Sequence, residues 1–122
     1  MVNSIVEQLK SIGAFRVDAE DYDWLCSYPD IIFEIILDAV PTKEQVSVAV
    51  TALEEFVHKY NKWHSFRPID YISGIDRLPE GPHPRGIYIH IDFGSASATA
   101  VVSAVEVLAK TNLPIFRVAL QW

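Results

Sequence analysis

The chain has 122 residues, half of them hydrophobic and about a fifth charged, with a formal net charge of −6. That length supports one domain with a sizeable core, and the single cysteine, Cys26, excludes an internal disulfide or a multi-thiolate zinc site. The opening residues lack the basic-then-apolar form of a signal peptide, and no apolar run approaches the roughly 20 residues that span a bilayer, so we expect a cytoplasmic protein without a membrane partner.

The charge is unevenly placed. Residues 1–38 hold eight acids (Glu7, Asp18, Glu20, Asp21, Asp23, Asp30, Glu34 and Asp38) against Lys10 and Arg16, whereas residues 39–122 hold eight acids and eight bases. All of the net charge therefore lies in the first third. A nucleic-acid binder needs clustered Lys and Arg to displace counterions, so nucleic acid is not an expected partner. A basic protein surface fits better.

Residues 2–12 place Val2, Ile5, Val6, Leu9 and Ile12 on one helical face, and Gly13 supplies a stop. The acidic, aromatic stretch 14–28 reads as a loop leading into a short helix near 20–27, with Asp18 as its N-cap and Glu20 and Asp21 in its first turn. Its core, "VDAEDYDW", interleaves four acids with Tyr22 and Trp24, either as a solvated helix start or as a docking patch for a basic partner. It lacks the glycine and the terminal glutamate of a calcium loop.

"PDIIFEIILDAVP" is bracketed by Pro29 and Pro41, and its four isoleucines favour a strand over a helix. It sends Ile31, Phe33, Ile35 and Leu37 one way, and Ile32, Glu34, Ile36 and Asp38 the other. Residues 42–62 form the clearest helix. Thr42 and Gln45 make a capping box, and Val46, Ala49, Val50, Leu53, Phe56, Val57 and Tyr60 recur at helical spacing. A short strand is expected at 69–75 and an exposed proline-rich loop at 76–85. Then "RGIYIHIDFG" alternates Ile87, Ile89, Ile91 and Phe93 with Tyr88, His90 and Asp92. Gly94 and Ser95 turn the chain into a second helix, about 96–110, and "IFRVALQW" reads as a last strand.

We therefore expect one α+β domain, 1–122, with residues 1–28 as an N-terminal helical extension on a 29–122 core. The core order, strand-helix-strand-strand-helix-strand, resembles the ferredoxin-like βαββαβ arrangement. The resemblance rests on element order and implies a four-stranded antiparallel sheet with both helices on one face.

Its other face would gather Ile32, Glu34, Ile36, Tyr88, His90, Asp92, Arg117 and Gln121, with Tyr71 at an edge. Three readings stand for that face. The first helix, with Trp24 and Leu25, could pack over Ile32, Ile36 and Tyr88. Tyr88, His90, Asp92 and Arg117 could form a site, since a histidine beside a carboxylate serves as acid or base near neutral pH. Or the face could dock a protein, a second copy included. Histidines 58, 64 and 83 do not converge, Cys26 reads as a small core residue, and Trp63 and Trp122 as closing core edges. No metal and no cofactor are expected, and no catalytic residues are assigned.

In size, acidity and lack of a catalytic motif the chain resembles the small acidic immunity proteins that bacteria make against their own secreted toxins, often basic nucleases. The resemblance implies a tight complex in which acids of the 18–38 region cover a basic active site. The expected contacts are Asp18, Glu20, Asp21, Tyr22, Asp23 and Trp24, with Glu34 and Asp38 behind them. The competing reading is a homodimeric ferredoxin-like domain that uses Tyr88, His90, Asp92 and Arg117 on a small ligand or in acid/base chemistry.

Overall fold

Ile31, Phe33, Ile35 and Leu37 are all essentially inaccessible to solvent, and so are Ile36 and Glu34 on the opposite side of the same strand. A strand buried on both faces is central to its sheet. In the computed structural model, which describes residues 5–19, 30–63 and 71–121, this strand is Asp30–Leu37 (β2). The other described elements are α1 (Ile5–Lys10), β1 (Arg16–Asp18), α2 (Lys43–Trp63), β3 (Gly74–Leu78), β4 (Gly86–Asp92), α3 (Thr99–Ala109) and β5 (Ile115–Gln121).

The strands form one mixed five-stranded sheet in the order β1-β5-β2-β4-β3. β2 pairs antiparallel with both β4 and β5, and β3 pairs antiparallel with β4. β1 adds at the outer edge of β5 in parallel. The expected sheet of four antiparallel strands is thus corrected to five strands of mixed direction. The residues responsible are Arg16, Val17 and Asp18. Val17 is buried in the hydrophobic core, and Asp18 lies in a strand instead of capping a helix. The outer edges of the sheet are β1 and β3.

One face of the sheet carries the core. Ile87, Ile89 and Ile91 of β4, Val118 and Leu120 of β5 and the odd-numbered residues of β2 pack against Ala49, Leu53 and Val57 of α2. Ala100, Val101, Val102, Ala104, Val105 and Leu108 of α3 complete the layer, and the Phe33 and Phe93 rings lie 6.2 Å apart within it. Ile5 and Leu9 of α1 belong to the same cluster, with α1 lying against α3 and β1. The first helix therefore packs on the helical side and does not cover Ile32, Ile36 and Tyr88.

Helix α2 begins as its sequence requires. The Thr42 amide donates to Gln45 Oε1 at 3.0 Å, and the Gln45 amide donates to Thr42 Oγ1 at 3.1 Å. Two amides that the helix cannot satisfy internally are thus bonded. Near the other end, the Asn61 side-chain amide bonds both backbone polar groups of Ile72, at 2.9 and 2.8 Å. Asn61 thereby ties the end of α2 to the segment that enters β3.

That strand lies several residues beyond the expected 69–75, because Asp76 and Arg77 belong to it and not to the proline loop. Trp63 also departs from expectation: it is 84% exposed and closes no core edge. The expected helix near 20–27, Cys26, His64 and Trp122 lie outside the described residues.

Candidate functional site

The face of the sheet away from the helices is organised in rows set by strand register. One row crosses Asp18, Ala119, Glu34, Tyr88 and Leu78; the next crosses Gln121, Ile32, His90 and Asp76. Asp30, Asp92 and Gly74 form a third, and Arg16, Arg117, Ile36 and Gly86 a fourth. Because each pair faces the same way, side chains from five strands meet on one surface.

Glu34 is the buried centre. It is 5% exposed, and both carboxylate oxygens are bonded. Tyr88 Oη donates to Glu34 Oε2 at 2.7 Å, and Arg117 Nη2 donates to Oε1 at 3.3 Å. Arg117 Nη1 reaches Asp18 Oδ2 at 3.4 Å, and Arg16 Nε donates to Asp18 Oδ1 at 2.9 Å. A continuous polar line thus runs from the edge strand β1 across β5 and β2 to β4. Ala119, directly opposite both Asp18 and Glu34 in register, is small enough to leave room for the Arg117 side chain beside it.

The proline-rich loop between β3 and β4 folds back onto this line. The His83 backbone amide donates to Tyr88 Oη at 2.8 Å, and His83 Nδ1 accepts from the Arg85 amide at 3.1 Å. Gly81 lies against the Tyr88 ring so closely that a Cβ there would come within 2.3 Å of Cζ. Arg85 Nη1 donates to the Asp38 carbonyl at 3.2 Å. The loop expected to be simply exposed therefore roofs Tyr88, which is 4% accessible. Burial raises the Tyr88 phenol above its ordinary pKa of 10.0, and the hydrogen bond to Glu34 adds in the same direction; the His83 amide opposes both.

The other end of the face is open and acidic. His90 Nε2 lies 2.9 Å from Asp30 Oδ1, and His90 Nδ1 lies 3.9 Å from Asp76 Oδ2. The Asp30 and Asp76 side chains are mostly exposed. Asp92, the register partner of Asp30, accepts a bond from the Gly94 amide at 2.9 Å. Three strands therefore each place one carboxylate beside or one row away from a single imidazole.

The expected residues divide accordingly. Tyr88, His90, Asp92 and Arg117 do share the face, but Tyr88 and Arg117 belong to the Glu34 line while His90 and Asp92 belong to the acidic corner. Asp18 and Glu34 are tied together through Arg117, and Asp38 is exposed at the far end of β2. Glu20, Asp21, Tyr22, Asp23 and Trp24 lie outside the described residues.

Sequence reasoning missed three contributors. Asp76 reads as loop because "GIDRL" does not alternate, and only strand register sets it opposite His90. Asp30 is the first residue of β2 and carries no periodic signal of its own. Gly81 could be recognised only from its contact with the ring.

Ser95 bonds back to the segment before β3: the Ser95 amide donates to the Tyr71 carbonyl, and Ser95 Oγ accepts from the Tyr71 amide. Among the described residues no three His, Cys, Asp or Glu side chains form a group that could hold a metal ion, and no helix is long and apolar enough to cross a membrane. The chain matches no family model, no curated protein and no solved structure.

Proposed function

We propose that this chain is a non-catalytic protein-binding module that engages a basic partner, in the manner of an immunity protein covering a toxin such as a nuclease. The observation that carries the reading is the acidic corner: Asp30, Asp92 and Asp76, from three neighbouring strands, around His90. Clustered exposed carboxylates steer a cationic surface into encounter and set its orientation. The segment with Glu20, Asp21 and Asp23 enters β2 at Asp30, so in sequence the most acidic stretch leads into this corner.

Glu34 fits a supporting role, because it is buried and holds Arg117 and Tyr88 in place. Asp18 likewise anchors Arg16 and Arg117. The order β5-β2-β4-β3, antiparallel throughout, with α2 and α3 packed on one face, supports a ferredoxin-like reading of residues 30–121. A cytoplasmic location belongs to the same proposal.

The test is association with the product of the adjacent gene, whose C-terminal portion is expected to be basic and toxic when expressed alone. The expected result is a one-to-one complex whose association rate falls steeply with salt. In an Asp30→Asn/Asp76→Asn/Asp92→Asn variant that rate falls at least tenfold while the fold is kept. A chain that ignores such a product and forms a stable homodimer, losing binding of a small ligand on His90→Ala, would overturn the proposal in favour of the ligand-binding reading.

A further inference from the structure

The helical side of the sheet carries a second surface, separate from the acidic corner. Helices α2 and α3 pack side by side, and a groove of about 470 Å³ runs along their outer side. Ala52, Phe56, Tyr60 and Trp63 of α2 and Ser103 and Val107 of α3 line it, with Glu55 and Lys59 at its rim. Trp63 is 84% exposed, and Val48, one turn before Ala52, is 38% exposed. Tryptophan and tyrosine are the residue types most enriched where proteins bind one another.

This face complements itself in one orientation. At about 100° per residue, Val48, Ala52, Glu55, Lys59 and Trp63 fall within an arc of about 80° on α2. Size and charge both change along the arc. Small Ala52 and acidic Glu55 come first; basic Lys59 and the large Trp63 follow. An antiparallel second copy, related by a two-fold axis level with residue 57, sets each Glu55 opposite the other copy's Lys59. At about 1.5 Å per residue, Trp63 then lies about 9 Å to one side of the axis and Ala52 about 7.5 Å to the other. Each indole therefore meets Ala52 of the other copy, with Val48 a turn beyond. Phe56, whose ring is 5.9 Å from that of Tyr60, sits beside the axis. A parallel pairing fails on both counts, because it sets Glu55 against Glu55, Lys59 against Lys59 and Trp63 against Trp63. The wider charge distribution favours the same contact. Asp30 and Asp76 lie on the far face of the sheet, so pairing through the helices points the two acidic corners apart.

We propose that this groove is a homodimer interface. Two copies pair antiparallel through α2 and α3, and their grooves close on each other as one apolar seam bounded by two reciprocal Glu55–Lys59 pairs. The contact is isologous, so assembly stops at two chains. It leaves the acidic corner free and does not rest on the function proposed for it.

The experiment is sedimentation of the whole chain across a concentration series. The expected result is a reversible transition from 13.8 kDa to twice that mass. Glu55→Lys and Lys59→Glu, both at exposed positions, each place like charges across the axis twice, and each raises the dissociation constant at least about tenfold. Mixing the two single variants restores the dimer, because each then supplies the charge that the other needs. Trp63→Ala weakens the dimer as well, whereas Asp30→Asn/Asp76→Asn/Asp92→Asn leaves it intact. A monomer at every concentration up to about 1 mM, the weak end of specific association, would overturn the proposal. So would a dimer indifferent to the charge variants, or single variants that do not rescue each other. A monomeric chain in which Trp63→Ala weakens binding of a basic partner would instead assign the groove to that partner.

Discussion

Tyr88 shows how one hydroxyl can hold two layers of a protein together. It donates to the Glu34 carboxylate beneath and accepts from the His83 amide of the loop above. Tyr88→Phe leaves a buried carboxylate oxygen and a backbone amide without partners, so a loss of about 1–3 kcal/mol is expected in urea unfolding. Glu34→Gln in that background costs less than in the wild type, with a coupling of about 0.5–3 kcal/mol from the double-mutant cycle. The pH dependence has a definite sign. The folded phenol has its pKa raised above 10.0, chiefly by burial, so its contribution to stability is complete below about pH 10 and is lost as pH rises through the folded value. Tyr88→Phe removes that part of the alkaline loss, which unfolding measured between pH 9 and pH 11 would reveal as a shallower slope. Gly81→Ala attacks the same contact from above: the new methyl meets a ring held at its hydroxyl on both sides, and about 1–3 kcal/mol of destabilisation is expected. None of this was legible at residue scale, because a glycine between prolines signals a turn and says nothing about what it touches.

At the scale of elements the isoleucine-rich runs marked the inner strands β2 and β4. β4 alternates cleanly, whereas β2 pairs its isoleucines; the residues expected in the core, Ile31, Phe33, Ile35 and Leu37 with Ile87, Ile89, Ile91 and Phe93, are all buried, and so are Glu34, Ile36 and Tyr88 on the other face. The capping box at Thr42 and Gln45 is present as two short hydrogen bonds; Thr42→Ala is expected to cost about 0.5–2 kcal/mol. The edge strands were harder to read. β1 has three residues, too few for a period, and two of them are charged. β3 has one side toward solvent and presents Asp76 and Arg77, which read as loop. Helix α1 was legible as a helix, but its destination was not, because an apolar stripe does not say which face of a sheet it will choose. Leu9 is wholly buried, and Leu9→Ala should cost about 2–5 kcal/mol. The check is whether the whole chain unfolds earlier in one transition, as shared core packing requires, or only α1 is lost.

The whole molecule separates two kinds of charge. Along the Glu34 line, acids and bases alternate and neutralise one another within the fold, whereas at the His90 corner the Asp30 and Asp76 carboxylates face outward. A count along the sequence gives the excess of acid in the first third, but only strand register shows that Asp76 and Asp92, from the balanced remainder, join Asp30 there. Salt should therefore act unequally on the two ends of the face. On the proposed reading, raising ionic strength slows association with a cationic partner at the open corner, while the thermal midpoint of the chain alone moves little, since Glu34 is buried. Among the described residues the five-stranded sheet ends in two strands, β1 and β3, that pair on one side only. One offers three residues, and the other displays an aspartate and an arginine just before a proline. Neither is long or greasy enough to template growth by further chains. The protein should therefore stay dispersed at concentrations where flatter, more hydrophobic sheets assemble into fibrils, and replacing Asp76 and Arg77 with valine should remove that protection.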